Sequence, residues 1–322
     1  MIRFLAFGGT IASVQRPGAT EVTPTLTGAE LVESLPELAE VAEIDVRDFP
    51  PIASFAVTLP DMLALVRATA EAFAEGREGV VISHGTDTIE ETAYALALML
   101  PRGQPIVLTG AMRNPTQPGT DGPANLLAAF LVAASPSAAG LGPLVVLNDE
   151  LHAARFVTKS HTMRASTMTS PGAGPLGEIA ERRVDVWWRP AWEDYLGLPE
   201  SVDGVEVELI RVAAGVSDAL LRTAVERPAA GIVIEGTGGG HVMPPLLPVL
   251  DEAIAAGIPV VVASRTASGP NLERTYRMPG GETDLIERGA IPAGNLSGHK
   301  ARLRLVVGLA LGRDLRSLFP VR

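Results

Sequence analysis

Val80-Val81-Ile82-Ser83-His84-Gly85-Thr86-Asp87-Thr88-Ile89-Glu90-Glu91-Thr92 decides the fold class. Val80 to Ser83 is an apolar, β-branched run, and a polar glycine turn follows it. From Ile89 to Leu100 the apolar residues recur at helical spacing, with Ile89, Ala93, Leu96 and Leu100 on one face. Thr88 and Glu91 have the spacing of a capping box that opens a helix. A strand that passes through a polar loop into a helix is one βα unit, the repeating piece of α/β proteins.

The alternation extends outward in both directions. Ile2 to Phe7, Ile106 to Thr109 and Leu144 to Asn148 are further strand-like runs, and Pro123 to Ala134 reads as a helix with proline in its first turn. The pattern predicts an α/β fold with a mainly parallel sheet flanked by helices. It breaks between Val184 and Asp203, a stretch holding the three tryptophans Trp187, Trp188 and Trp192 together with Pro190 and Pro199. Val205 to Val212, Ile232 to Glu235 and Val260 to Ser264 then resume as strands, separated by helices near Asp218 to Val225 and Pro245 to Ala256, with a last helix near His299 to Leu311. The expected organisation is a larger N-terminal α/β domain over 1–184, a linker over 185–204 and a smaller C-terminal α/β domain over 205–322.

Composition narrows the function classes. A chain of 322 residues with 47% hydrophobic content can bury two cores. A net charge of −11 provides no basic surface for phosphate backbones or anionic lipid, which disfavours nucleic acid and membrane and favours a small-molecule substrate. No apolar segment reaches the roughly 20 residues that cross a bilayer. Met1-Ile2-Arg3 enters the first strand without the pattern of a secretory leader, so a cytoplasmic location is expected. Cysteine is absent, which removes disulfides, thiolate metal sites and cysteine nucleophiles. His84, His152, His161, His241 and His299 lack the spacing of zinc-hydrolase ligands, and no Gly-x-Ser-x-Gly elbow is present. Neither metal nor cofactor is expected.

In open α/β sheets functional groups gather beyond the carboxyl ends of strands. Gly8-Gly9-Thr10 follows the first strand, and His84-Gly85-Thr86-Asp87-Thr88 lies between a strand and a helix. Phe156-Val157-Thr158-Lys159-Ser160 carries one of only two lysines, the other being Lys300, among 26 basic residues. Each segment alone has a structural explanation: a tight turn, a helix cap, an edge-strand lysine. Together they make a device for acyl transfer. A threonine hydroxyl needs a base to take its proton, a pocketed lysine can carry that proton, and a carboxylate can position the lysine. Backbone N–H groups at a glycine turn or helix start can stabilise the oxyanion.

Gly8-Gly9-Thr10-Ile11-Ala12, His84-Gly85-Thr86-Asp87-Thr88-x-Glu90-Glu91-Thr92 and Thr109-Gly110-Ala111-Met112-Arg113 resemble the successive hallmarks of the bacterial L-asparaginase family. The resemblance continues through Asp121-Gly122-Pro123-Ala124-Asn125-Leu126 and the Lys159 segment to Lys300-Ala301-Arg302, nearly the whole chain. It implies the two-domain asparaginase fold, a homodimer or homotetramer with sites at the subunit interface, and hydrolysis of L-asparagine to L-aspartate and ammonia through a threonine acyl-enzyme. By position, Thr10 resembles the nucleophile, and Thr86, Lys159 and Asp87 resemble a second catalytic group in which Lys159 carries the proton and Asp87 also grips the substrate amine. Ser54 resembles the serine that holds the substrate carboxylate, and Ala111 the residue whose carbonyl meets the leaving amide. Glu282 resembles a glutamate that reaches the substrate amine from the neighbouring subunit.

The chain departs from the family pattern in three places. The segment from Ser13 to Thr27 has no tyrosine where the family usually places one, which leaves a water or Thr20, Thr23 or Thr25 to orient Thr10. Phe55 follows Ser54 where many members have a polar residue, and His241 takes the approximate place of an asparagine contributed across the dimer. Two rival activities use the same scaffold: preferential glutaminase, and an ammonia-releasing amidotransferase subunit. A non-catalytic amino-acid sensor is the rival from another class.

Overall fold

The structure is a computed structural model and describes residues 1–15, 22–191, 193–227 and 229–319. The chain divides into two compact units, Met1–Tyr195 and Leu196–Arg322. Along the first unit run β1 (Ile2–Gly8), a small hairpin of β2 (Ser13–Gln15) and β3 (Val22–Pro24), α1 (Gly28–Glu33), β4 (Ile44–Ile52), α2 (Leu59–Ala74), β5 (Gly79–Ser83) and α3 (Ile89–Met99). They are followed by β6 (Ile106–Thr109), α4 (Gly122–Ala134), β7 (Pro143–Leu147), β8 (Glu150–Ala153), the two-residue strands β9 (Thr158–Lys159) and β10 (Met168–Thr169), β11 (Gly177–Ala180) and β12 (Arg183–Val186).

The main sheet has eight strands in the order β12-β11-β8-β7-β6-β5-β1-β4. Strands β4, β1, β5, β6 and β7 are parallel, and β8, β11 and β12 extend the sheet antiparallel. Helices cover both faces of β1, β5, β6 and β7, so these strands must be apolar throughout rather than alternating, whereas β4 lies at the sheet edge. Phe4, Ala6, Val81, Val107 and Val146 pack with Leu126, Ala129 and Phe130 of α4 in one core, and Phe4 meets Phe130 edge to face at 5.7 Å. The alternate residues Leu5, Val80, Ile82 and Leu108 are equally buried, and α2 and α3 pack against β5 and β6, which carry the last three.

This topology fixes where a ligand can go. The chain leaves β1 for β4 on one side and returns to β5 on the other, so the strand order reverses at β1, and the crevice beyond the ends of β1 and β5 is the switch point. Register then sets the loops level: Ala6 pairs with Ser83, and Ser83 with Thr109.

Several local expectations change. Thr88 is the N-cap of α3, but its side chain makes no cap bond; the hydroxyl instead donates to the Ser54 carbonyl at 2.7 Å, so a non-local acceptor replaces the expected Thr88–Glu91 box. Asn148 lies beyond β7, where Asn148 and Asp149 have positive φ (53° and 63°) and form the two-residue turn into β8; paired left-handed residues suit the twist of a tight hairpin. Part of the stretch read as linker is ordered sheet, because Arg183–Val186 pairs antiparallel with Gly177–Ala180, and the Trp188 indole donates to the Pro175 carbonyl at 2.9 Å. Trp192 lies outside the described residues. Strand β4 and helices α1 and α2 carry no expectation from the sequence.

The second unit is built on a parallel sheet in chain order: β13 (Val207–Arg211), β14 (Gly231–Gly236), β15 (Val260–Ser264) and β16 (Ile291–Pro292). Its helices are α5 (Ala219–Glu226), α6 (Leu247–Ala255), α7 (Glu282–Arg288), α8 (Gly298–Ala310) and α9 (Leu315–Leu318). Ile232, Ile234, Val260 and Val262 form its core with Leu247 and Leu250 of α6. Lys300, near the start of α8, is buried. Among the described residues no helix is long and apolar enough to cross a membrane.

Candidate active site

Glycines let four strand-end loops of the first unit touch, those after β1, β4, β5 and β6. A Cβ on Gly9 would sit 2.6 Å from the Gly85 nitrogen, one on Gly85 would sit 2.6 Å from the Ser54 side chain, and one on Gly110 would sit 2.4 Å from the His84 carbonyl oxygen. Gly9 also has a φ of 94°, a region that L side chains avoid. The backbone after β1 therefore lies directly against the backbone after β5, with Thr10 and Thr86 each one residue past the contact. Thr10 is half-buried and opens a short 3₁₀ turn closed by the Ala12 amide on the Gly9 carbonyl, while the Ser13 hydroxyl bonds the same oxygen at 2.9 Å.

The lysine arrives from a third direction. Lys159 Nζ donates to Thr86 Oγ1 at 2.8 Å and to Asp87 Oδ1 at 2.6 Å. The other Asp87 oxygen accepts from Ser54 Oγ at 3.1 Å. The Lys159 side chain is 17% exposed and that of Asp87 50%, so the ion pair lies at the surface of the unit rather than in its core. Lysine's hydrogen bond holds the Asp87 carboxyl below the usual carboxylate range against the opposing effect of burial. Hydroxyl, amine and carboxylate are thus joined in one chain, an arrangement that can move a proton to or from Thr86 and keep the amine aimed at it.

Buried polar side chains hold the loops. His84 is fully buried and stacks on Phe7 at 5.3 Å. Its Nδ1 lies 2.7 Å from the Gly85 carbonyl, which can only accept, and the Thr92 hydroxyl lies 2.9 Å from Nε2. The partners select the neutral Nδ1–H tautomer, and burial pushes the imidazole pKa down to about 4. His84 is a loop anchor, as its place in the motif suggests. On the next loop Asn125 donates to the Gly110 carbonyl at 3.0 Å, and Asp121 accepts the Met112 and Arg113 amides at 3.0 and 2.8 Å. The peptides flanking Ala111 are fixed in this way. Phe55, next to Ser54, is 80% exposed.

Thr10, Ser54, Thr86, Asp87, Ala111 and Lys159 therefore belong to one cluster of loops in the first unit. Glu282 and His241 belong to the second unit, where His241 Nε2 lies 3.1 Å from Glu282 Oε2 and the Thr275 and Tyr276 amides donate to Oε1. Among the three threonines considered for orienting Thr10, Thr20 lies outside the described residues, as does the Thr23 side chain; Thr25 is exposed and its amide donates to the Ala12 carbonyl at 2.9 Å. Glu90 is a site-building residue whose role no motif in the sequence marks. Its Oε1 accepts from the Lys159 amide and the Thr158 hydroxyl, both at 3.1 Å, contacts across nearly seventy positions that no local spacing signals.

Two family models match the chain: Asparaginase, N-terminal, over residues 1–192, and Glutaminase/Asparaginase C-terminal domain, over residues 206–318. A probable L-asparaginase of Deinococcus radiodurans is 40% identical, with 97% of this chain and 94% of that protein covered. A glutaminase-asparaginase of Pseudomonas fluorescens is 33% identical, with 98% and 87% covered. The crystal structure of a probable cytoplasmic L-asparaginase from Campylobacter jejuni superposes with a TM-score of 0.88 at 31% identity, covering 98% of this chain and 97% of that one.

Proposed function

The chain belongs to the asparaginase family, and from that premise we propose that it is an L-asparaginase that works through a threonine ester. The observation that carries the reading is the Lys159 amine bonded to both Thr86 and Asp87, beside the loop that bears Thr10. Thr10 Oγ1 attacks the side-chain carbonyl carbon of asparagine, the C–N bond breaks, and the hydroxyl proton passes to the nitrogen, which leaves as ammonia. Water then adds to the ester, directed by Thr86 and Lys159. The ester C–O bond breaks, and aspartate departs as the Thr10 hydroxyl is restored.

Around this chemistry Ser54 and Asp87 bind the substrate carboxylate and amine, with Phe55 at the rim. The Ala111 carbonyl accepts from the amide that leaves. Glu282 and His241 act from a neighbouring subunit of a dimer or tetramer, and the enzyme works in the cytoplasm. The name of the Campylobacter jejuni protein supports that location. The name of the Pseudomonas fluorescens relative favours a second substrate, glutamine, on the same machinery.

The test is ammonia release from L-asparagine and L-glutamine by the wild type and by Thr10→Ala. Wild-type turnover on asparagine that falls by about 10³-fold or more in the variant is the expected result. Equal rates in the two proteins would sink the nucleophile, and absence of wild-type turnover on either amide would sink the activity.

A further inference from the structure

We infer that Glu90 is a positioning residue that locks Lys159 to the turn carrying Thr86 and Asp87; the inference rests on the proposed reaction. Lys159 lies on β9, which pairs with β10 through only Met168↔Lys159 and Thr169↔Thr158. A two-residue ladder cannot hold a lysine backbone in place by itself. Ser160 extends it with its amide on the Thr167 carbonyl at 2.8 Å, and Glu90 adds the tie to α3. It sits in the first turn of α3 and is 7% exposed, and its Oε1 receives the Lys159 N–H and the Thr158 hydroxyl at 3.1 Å each.

The same short stretch, Thr86 to Glu90, therefore grips Lys159 at both ends. Thr86 and Asp87 hold the amine at 2.8 and 2.6 Å, and Glu90 holds the peptide from which that side chain springs. All three grips come from the turn that leads into α3 and from its first turn, so a movement of this segment carries hydroxyl, carboxylate and lysine together. A side chain with several rotatable bonds is aimed reliably only when its backbone is fixed relative to its target. A buried carboxylate is costly to place, and this one spends an oxygen on neutral donors of the lysine segment. That use is explained if the geometry of Lys159 is what it maintains.

Steady-state kinetics on asparagine with Glu90→Ala, Glu90→Gln and Lys159→Met test this. Glutamine keeps an oxygen where Oε1 stands, so Glu90→Gln should stay within about threefold of wild-type kcat, whereas Glu90→Ala should lose about 10- to 100-fold in kcat with KM within about threefold. In the Lys159→Met background, Glu90→Ala should cost nothing further in kcat, because a residue acting through the lysine has no effect once the lysine is gone. Should Glu90→Ala fail to fold, Glu90→Asp, one methylene shorter, should show the kcat loss at a Tm near wild type. Wild-type kcat in a folded Glu90→Ala or Glu90→Asp, or additive losses with Lys159→Met, overturns the positioning role. If Lys159→Met itself turns over normally, the proposed reaction fails instead, whatever the Glu90 variants do.

Discussion

Both units carry glycine-rich loops beyond the carboxyl ends of parallel strands, yet the polar groups there do different things. In the second unit the loop after β14 closes on itself, Thr237 and His241 exchanging backbone bonds, and Ser264 at the end of β15 donates to its Gly238 carbonyl at 2.6 Å. The carboxylate nearby, Glu282, is 4% exposed and takes the Thr275 and Tyr276 amides and His241. Burial tends to raise its pKa, but those donors outweigh it and leave the group below the usual range. In the first unit Asp87 is half-exposed and takes a lysine brought from a separate strand, which in turn meets a hydroxyl. Topology alone makes a crevice. A reactive site also needs a charge delivered from a distant segment and left within reach of solvent and substrate.

The sharpest way to break this contrast is to remove the delivered charge. Lys159→Met should lower turnover by about 10³-fold while aspartate still binds within about tenfold, measured by ammonia release and calorimetry. Near-normal turnover would mean that the first unit's loops need no lysine.

Acid should separate the units next. His84 and His152, both in the first unit, are pushed down to about 4 by burial. Between their unfolded value near 6.5 and about 4, the unfolded chain binds protons that the folded one refuses, so stability falls as pH drops through that window, by about 2 kcal/mol per histidine at pH 5. In the second unit the shifted carboxylates Glu282 and Asp284 are lowered, so the stability they add is lost only as pH falls through the carboxylate range, after the histidine loss has begun. All three tryptophans precede Leu196. Their fluorescence should therefore show a urea midpoint that drops between pH 7 and pH 5, more than the far-ultraviolet circular dichroism of the whole chain. A fluorescence transition that stays in place would remove the distinction.

The smallest effect concerns Glu282. If a neighbouring copy presents it to the substrate amine, Glu282→Gln should raise KM for asparagine about tenfold with kcat within about threefold. An unchanged KM with a lower Tm would confine Glu282 to holding the Thr275–Tyr276 turn.

The elements legible in the sequence were those whose causes are local. Ile2–Gly8, Gly79–Ser83 and Val260–Ser264 stand out because strands covered on both faces are apolar throughout. Strand β4 was not legible: Asp45, Arg47 and Asp48 followed by Pro50-Pro51 break any apolar run, and only its place at the sheet edge tolerates them. Helix α2 did leave a signal, the Thr58–Asp61 capping box found in the structure. At the site, the run of hydroxyl, carboxylate and hydroxyl after Gly85 pointed to chemistry, because a cap needs only one of them. The bonds from Thr88 to Ser54 and from Glu90 to Lys159 could not be read, since each joins segments dozens of residues apart.

The near-absence of lysine has a practical consequence for anyone who couples this protein to a surface. Its lysine amines are Lys159, 17% exposed, and the buried Lys300. A linker that acylates lysine is thus left with one address, Lys159 itself. Coupling through lysine should therefore silence the molecules it attaches, and a ligand that covers Lys159 should shield them from the linker.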